Sequence, residues 1–180
     1  VAGNVETSQV VTDTLYGALQ TQAASQGSMN NLTFGDETWQ YYETICGGTG
    51  AGNGYDGHDA VHSHMTNSRL TDPEILELRY PVRLEKFGIH NNSGGAGLYR
   101  GGNGCERHFT FLQPMTVSML TNHRLVPPYG MAGGNPGRVG QQYLVESEAK
   151  QIMLESTFSR DIKAGEMLVI KTPGGGGYGS

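Results

Sequence analysis

The stretch HFTFLQPMTVSML, residues 108–120, contains two runs in which apolar positions alternate with polar ones. The apolar positions are Phe109, Phe111, Met115, Val117 and Met119. A period of two is the spacing of side chains on one face of a β-strand. The stretch therefore predicts two strands, each of which buries one face.

The same alternation recurs through the second half of the chain. It is seen at Val82/Leu84, Phe87/Ile89, Tyr143/Val145, Ile152/Leu154 and Met167/Val169. The phase slips between Leu84 and Phe87, which predicts a β-bulge near Lys86. Residues 81–180 are therefore expected to form a β-rich region, with glycine- and proline-rich turns between the strands.

One long helix is predicted near the N-terminus, from Asn4 to Gln26. Val11, Leu15 and Ala18 recur there at helical spacing and form an apolar face. The opposite face is polar rather than strongly charged, as expected if part of it packs on another segment. Gly27 can end this helix.

Two further segments complete the region that we expect over residues 1–80. Asp36 to Cys46 is rich in aromatic residues and predicts a strand. The segment GGTGAGNGYDG, residues 47–57, predicts a loop, because each glycine would cost a helix or strand about 1 kcal/mol. This region is thus a helix, a strand and a polar, glycine-rich loop region.

A short helix is predicted to begin at Pro73, because proline suits the first helical position. Asp72 or Thr71 can cap it, and Pro81 ends it by Tyr80. The whole chain is then an α+β protein with one long N-terminal helix, glycine-rich loops and a β-rich C-terminal half. Its length predicts a single segment of one domain.

Composition excludes several classes of protein. The formal net charge is −5 and the 12 basic residues are scattered, so no cationic stripe exists to bind nucleic acid. No apolar run approaches the roughly 18 residues that span a bilayer. Cys46 and Cys105 lack metal or redox spacing and predict buried thiols in a reducing compartment. We therefore expect a soluble, cytoplasmic protein.

Two glycine motifs resemble nucleotide-binding sequences by letter. GNGYDG, residues 52–57, matches the dinucleotide pattern, but no amphipathic helix follows it to direct its N-terminus at a pyrophosphate. The tail PGGGGYG, residues 173–179, fits the same letters and predicts a flexible or tightly turned terminus. No Gly-Lys-Ser/Thr occurs, so the chain supplies no P-loop ATPase of its own.

The run HSHMTNSRLTDPE, residues 62–74, concentrates the side chains that amide cleavage requires. We assign catalytic roles as follows: His62 and His64 move or orient a proton, Asn67 donates hydrogen bonds, Arg69 holds an anionic group and Asp72 holds Arg69. Two alternatives stay open. The His-x-His pair could bind a metal as in cupins, although the carboxylate of that motif is missing, or Arg69 and Asp72 could pair structurally.

At this run the chain resembles the C-terminal part of the hydantoinase B/oxoprolinase family, and 5-oxoprolinases in particular. The matching motifs are GNVETSQ (3–9), SQGSMNN (25–31), YYET (41–44), HSHMTNSRLTDPEILELRYPVRLEKF (62–87), GGAG (94–97), RGG (100–102), PYGMAGG (128–134) and TPGGGGYG (172–179). They follow one another along almost the whole chain. Together with a start at Val1, the resemblance implies a fragment of a larger subunit.

The resemblance implies ATP-dependent hydrolysis of a cyclic amide. A hydantoinase A-like ATPase half, which uses ATP and Mg²⁺, would phosphorylate the lactam oxygen, and this half would assist attack by water and cleavage of the C–N bond. The substrate would be 5-oxo-L-proline, giving L-glutamate, or else a hydantoin or N-methylhydantoin. The resemblance places any divalent metal upstream of Val1, and none on this fragment.

Further partners and site residues complete these expectations. The fragment would pack on the remainder of its own subunit, within an oligomer, and would be inactive alone. Asn30, Asn31 and Glu43 are weaker candidates for binding the substrate. A different class of function also remains open, namely a non-catalytic domain that scaffolds assembly and whose polar run seals an interface.

Overall fold

The computed structural model describes residues 3–64, 66, 68–147 and 150–180. The helices in this part of the chain are α1 (Gly3–Ala18) and α2 (Pro73–Arg79). The strands are β1 (Asn31–Gly35), β2 (Gln40–Glu43), β3 (Val82–His90), β4 (Gly104–Phe111), β5 (Met115–Leu120), β6 (Gln141–Ser147), β7 (Lys150–Met153), β8 (Thr157–Ile162) and β9 (Met167–Lys171). The expected α+β class with a β-rich second half is confirmed.

The strands form two antiparallel sheets. One has four strands in the order β2-β1-β5-β8, and the other has five in the order β3-β4-β9-β6-β7. The pairing of β3 with β4 shifts register between Leu84 and Lys86, which confirms the predicted bulge. Strands β4 and β5, quoted above, fall in different sheets.

The core lies between these two sheets. Phe34 of β1 contacts Phe109 and Phe111 of β4, with ring centroids 6.3 and 5.9 Å away. Trp39 and Tyr80 stack beside them, with centroids 5.2 Å apart. Alternating apolar residues on each strand thus meet across the layer, as their period of two requires.

The predicted strand from Asp36 to Cys46 is correct only over β2, Gln40–Glu43, and is wrong at both ends. Residues 36–39 form the turn of a hairpin between β1 and β2, because the Asp36 carboxylate accepts hydrogen bonds from the amides of Thr38 (2.7 Å) and Trp39 (3.2 Å). These side-chain hydrogen bonds satisfy backbone amides that would otherwise pair with a neighbouring strand, and so they favour a turn over a strand. Strands β1 and β8 were not predicted. The side chains of β8 are mostly exposed or half-buried, so it carries little apolar signal.

The predicted N-terminal helix is correct in place but too long, because α1 ends at Ala18 rather than Gln26. Beyond it, the amides of Ala23, Ala24 and Gln26 donate to carbonyls of distant loops instead of to a helical turn. Residues 23–28 are buried in this extended form. Tertiary hydrogen bonds have therefore overridden the local helical pattern.

The short helix α2 forms as predicted. Asp72 caps it, its Oδ1 accepting from the amide of Glu74 at 3.0 Å, and Pro73 occupies the first turn. Leu76 is its buried residue and anchors it to the core. The cap satisfies a helix amide that has no partner within the helix.

The glycine-rich segments are buried and hydrogen-bonded to one another. Gly175 donates to the carbonyl of Gly102 (2.8 Å), Gly102 to that of Thr49 (2.9 Å), and Gly48 to that of Pro173 (3.0 Å). A Cβ on Gly175 would lie 2.0 Å from the Thr49 oxygen, so the backbones approach too closely for any side chain. The prediction of a flexible or tightly turned tail is therefore wrong.

Cys46 and Cys105 are free and buried, as predicted. The Cys105 thiol donates to the Cys46 carbonyl at 3.3 Å. None of the helices in the described ranges is long and apolar enough to cross a membrane.

Candidate functional site

The inner face of α1 is polar. Glu6, Gln9 and Asp13 are spaced by three and four residues and therefore lie on one side of the helix. Gln9 is fully buried and Asp13 is 4% exposed. These side chains bind residues 25–31 and the loop of His62 to His64, which together carry four of the eight predicted site residues.

Asp13 holds the imidazole of His64. Its Oδ1 lies 2.8 Å from His64 Nε2 and also accepts from the amide of Ser25 at 3.0 Å. Both side chains of the pair are 6% exposed. The edge of the Tyr16 ring contacts the imidazole, with centroids 5.7 Å apart. His64 Nδ1 has no hydrogen-bond partner in the described part of the chain.

The backbone at His64 is unusual. Its φ of 57° lies in the left-handed region, which a residue other than glycine enters at a cost of about 1–3 kcal/mol. Gln9 fixes the loop on either side, since its Nε2 donates to the Ser63 carbonyl (3.1 Å) and to Thr66 Oγ1 (2.7 Å). Such strain, held by surrounding contacts, is typical of functional sites.

Glu6 organises the second loop. Its Oε1 accepts from the amide of Met29 and from Asn31 Nδ2, both at 2.9 Å, and from Ser28 Oγ at 3.3 Å. Burial raises the pKa of Glu6, against these hydrogen bonds and the charge of Arg124. Asn31 is thereby locked in place, and its Oδ1 also accepts from the Tyr42 hydroxyl at 2.6 Å.

Asn30 is bound by a buried cation. Arg124 Nη2 donates to Asn30 Oδ1 at 2.9 Å, while Asn30 Nδ2 donates to Gln26 Oε1 (2.6 Å) and to the Ile45 carbonyl (3.1 Å). Burial lowers the pKa of Arg124 to about 10, which still leaves it charged at neutral pH. We use the name α1 polar cluster for Glu6, Gln9, Asp13, Asn30, Asn31, His64 and Arg124.

Several buried polar atoms around this cluster have no hydrogen-bond partner within the described residues. They are Glu6 Oε2, Gln9 Oε1, Asp13 Oδ2, Gln26 Nε2, Thr44 Oγ1, Ser63 Oγ and both ring nitrogens of His62. Native proteins leave few buried polar groups unpaired, so such a concentration marks a place that can bind a polar ligand. Burial also lowers the pKa of His62 and favours its neutral form.

Glu43 lies elsewhere, in the core between the sheets. It forms an ion pair with Arg107 and accepts a hydrogen bond from the Tyr41 hydroxyl. The Arg107 guanidinium is in turn stacked between Phe87 and Phe109, 5.2 and 4.6 Å from their ring centroids. These contacts hold Glu43 in the core, apart from the α1 polar cluster.

Two predicted residues, Arg69 and Asp72, are not brought into the cluster. Arg69 and Asp72 are exposed, and no ion pair joins them in the described ranges. Asp72 instead caps α2, so the predicted ion pair between Asp72 and Arg69 is not formed. Asn67, predicted to donate hydrogen bonds, lies outside the described residues.

The sequence reasoning missed Glu6, Gln9, Asp13 and Arg124. A signal for the first three was available, because Glu6 and Asp13 are the sole charged residues within α1 and share one helix face. Nothing local marked Arg124, which reaches Asn30 across 94 residues. Within the residues that the structure describes, no group of three or more His, Cys, Asp or Glu side chains could hold a metal ion.

Comparison with known proteins matches the chain to one family whose members are much longer than 180 residues. A family model described as Hydantoinase B/oxoprolinase matches residues 1–180. The chain is 52% identical to 5-oxoprolinase 1 of Arabidopsis thaliana over 100% of its own length and 14% of that relative. It is 49% identical to 5-oxoprolinase of Dictyostelium discoideum over 99% of its own length and 14% of that relative. The chain thus spans about one seventh of these proteins.

A solved structure has the same fold. The crystal structure of the ATP-dependent caprolactamase from Pseudomonas jessenii superposes with a TM-score of 0.75, covering 92% of this chain and 31% of that one. The sequences are 22% identical, so this similarity establishes the fold alone.

Proposed function

Because the chain belongs to the hydantoinase B/oxoprolinase family, we propose that it is part of an ATP-dependent hydrolase that opens the ring of 5-oxo-L-proline. The overall reaction is 5-oxo-L-proline, ATP and water giving L-glutamate, ADP and phosphate. The names of relatives that are 52% and 49% identical support this substrate over hydantoins. The chain has no Gly-Lys-Ser/Thr sequence, so ATP and Mg²⁺ belong to a hydantoinase A-like partner half.

The chemistry divides between the two halves. An unactivated lactam carbonyl is a poor electrophile, and phosphorylation of its oxygen by the partner makes the ring carbon open to attack. Two water molecules are then used: the first adds to the ring carbon, and the second hydrolyses the acyl phosphate that remains once the C–N bond has broken, releasing phosphate. Protons must be taken from each attacking water, and one must be given to the ring nitrogen as the C–N bond breaks. We assign these transfers to the half that contains this chain.

The pair of Asp13 and His64 is the observation that carries this assignment. A carboxylate at 2.8 Å from Nε2 fixes the orientation and tautomer of the imidazole and stabilises its protonated form. Nδ1 then remains to accept or give the transferred proton. His62, two residues away and held neutral by burial, is a second proton carrier on the same loop.

Asn30 and Asn31 are assigned to substrate binding. Arg124 and Glu6 fix their amide groups, so both side chains are already ordered before a ligand arrives. Each Nδ2 already donates twice within the protein, so it is the Oδ1 atoms that are assigned to accept from the substrate. Preorganised groups of this kind lose little entropy on binding. The unpaired Gln9 Oε1 and Gln26 Nε2 supply one acceptor and one donor, which is the pair that a ring amide and its product require.

The experiment is His64→Gln in the full-length protein together with its ATPase partner. We expect glutamate formation to fall by about 10²- to 10⁴-fold, the usual contribution of a general acid or base. ATP-dependent phosphorylation of the lactam should persist, since it takes place on the other half. His58→Gln is the control, because His58 is exposed and lies in the same glycine-rich region.

The same variants distinguish between the proton-transfer role and the scaffolding function. Unchanged glutamate formation in His64→Gln with intact assembly would remove the proton-transfer role. Loss of assembly in His64→Gln would instead favour the scaffolding function. Assay of hydantoin and N-methylhydantoin beside 5-oxo-L-proline decides between the substrates.

A further inference from the structure

The outer face of α1 is apolar and exposed. Val11 and Leu15 are 50% and 55% exposed, and Leu19, which follows the helix directly, is 69% exposed. They are spaced by four residues and so form one line along the helix axis. We call this line the α1 stripe.

This arrangement is the inverse of an ordinary surface helix, which buries its apolar side and exposes charges. The charged residues within α1, Glu6 and Asp13, both take part in inward hydrogen bonds. The outer face carries threonine instead, and the Thr14 hydroxyl donates to the helix's own Val10 carbonyl at 2.7 Å. The polar group nearest the stripe is thus already satisfied, which suits contact with another apolar surface.

We propose that the α1 stripe is a docking surface for a segment of the same polypeptide that lies outside these 180 residues. The chain spans 14% of the 5-oxoprolinases that it matches, so most of such a protein lies outside these residues and is available to cover the stripe. An uncharged, apolar stripe that includes Val11, Leu15 and Leu19 selects an apolar segment rather than a charged one.

The size of the stripe favours this occupant over a second copy of the chain. Eight residues of helix span about 12 Å. A stable interface between separate molecules buries about 800 Å² on each partner, which is more than one such stripe provides. A covalently linked segment needs no such area, because its effective concentration at the stripe is already about millimolar.

Docking at this place would also act on the inner face. The same helix turn that carries Leu15 carries Asp13, which holds His64, and Gln9 one turn earlier holds Ser63 and Thr66. A segment seated on the stripe therefore clamps α1 onto its loops from the outside. The outer face of α1 would then contact the remainder of the subunit, while its inner face contributes to the α1 polar cluster.

The test is thiol labelling of Leu15→Cys in the full-length protein. We expect maleimide to modify the introduced thiol at least tenfold more slowly in the native protein than after unfolding, with peptides resolved by mass spectrometry. Leu78→Cys on α2 is the matched control, because Leu78 is 82% exposed and lies on the other helix. Native labelling of Leu15→Cys within threefold of the unfolded rate overturns the proposal.

A photo-crosslinking residue at position 15 identifies the occupant. Crosslinks within one polypeptide to peptides outside residues 1–180 are the expected result. Crosslinks between two polypeptides, with protection that is lost on dilution, would show a second copy and overturn the proposal. Neither outcome depends on turnover, so a failure here is distinct from a failure of the proposed function.

Discussion

Arg124 and Asn30, 94 residues apart, are joined by a hydrogen bond of 2.9 Å from Nη2 to Oδ1. The same guanidinium donates from Nε to Gln142 Oε1 on β6 (2.5 Å) and from Nη1 to the Asn122 carbonyl (2.7 Å). One buried cation therefore connects the five-stranded sheet to the loop that carries Asn30 and Asn31. The position of the predicted substrate-binding amides depends on a residue far along the chain.

Arg124→Leu should destabilise the fold by about 3 kcal/mol, because it leaves buried acceptors on Asn30 and Gln142 without their donor. Urea unfolding of the 180-residue chain measures this as a lower midpoint at unchanged slope. Arg69→Leu is the control, since Arg69 is exposed, and should stay within about 0.5 kcal/mol. Equal effects of the two substitutions would contradict the role of Arg124.

Gly175→Ala should disrupt the packing of the C-terminal tail. The new Cβ would meet backbone atoms of Thr49 at 2.0 and 2.2 Å, and backbone cannot move aside as a flexible side chain can. We expect a loss of about 3 kcal/mol or failure to fold. Gly88→Ala on β3 meets nothing within 4 Å and should be neutral or slightly stabilising in the same unfolding experiment.

The sequence predicted those elements whose signal is local. Alternation with a period of two located β3 to β7 and β9, and the phase slip located the bulge. Asp72 and Pro73 located α2. The family resemblance was confirmed over residues 1–180. Each of these signals lies within a few residues of the feature that it predicts.

The sequence could not predict features that depend on distant partners. The apolar spacing of α1 located a helix, but which face is buried depends on residues 25–31 and the loop of His62 to His64, which the helix meets only in the fold. Likewise, the histidine run pointed to His64, but its partner Asp13 lies 51 residues away. The buried tail was missed because glycine letters do not reveal what their backbones contact.

His62 should make the fold sensitive to acid. Burial lowers its pKa in the folded state, so the unfolded chain binds this proton more readily than the native one. The part of the free energy of unfolding that depends on neutral His62 is fully present above the pKa of the unfolded chain, about 6.5. It is lost as the pH falls through the lower pKa of the folded state. Urea midpoints measured between about pH 5 and pH 7.5 should fall with acidity.

His62→Phe tests this directly, because neither ring nitrogen of His62 has a partner in the described chain. The variant should show a smaller drop in midpoint on acidification than the parent. A residual drop is expected from His90, whose pKa is also lowered by burial. A parallel pH dependence in parent and variant would remove His62 as the source.

Cys46 and Cys105 should be unreactive in the native protein. The hydrogen bond with Cys46, and then burial, hold the pKa of the Cys105 thiol well above its usual value, so little thiolate is present to react. The hydrogen bond with Cys105 lowers the pKa of Cys46, so it is burial, with 3% of the residue exposed, that keeps this second thiol from reagents. A chromogenic thiol reagent should detect neither cysteine in native protein and both after unfolding. Rapid native labelling, or a mass that indicates a disulfide, would contradict the buried, reduced pair.

Asp13→Asn should separate positioning from folding. The amide oxygen of asparagine can still accept from Ser25 and approach His64, but it no longer carries the charge that stabilises a protonated imidazole. We expect glutamate formation by the full-length protein to fall by about 10- to 100-fold or more, with the KM for the lactam little changed. Thr12→Ser, on the same helix, keeps a hydroxyl for its bond to the Ser8 carbonyl and serves as the matched control. Full activity in Asp13→Asn would show that Asp13 only braces the loop, and proton transfer would then have to be assigned elsewhere.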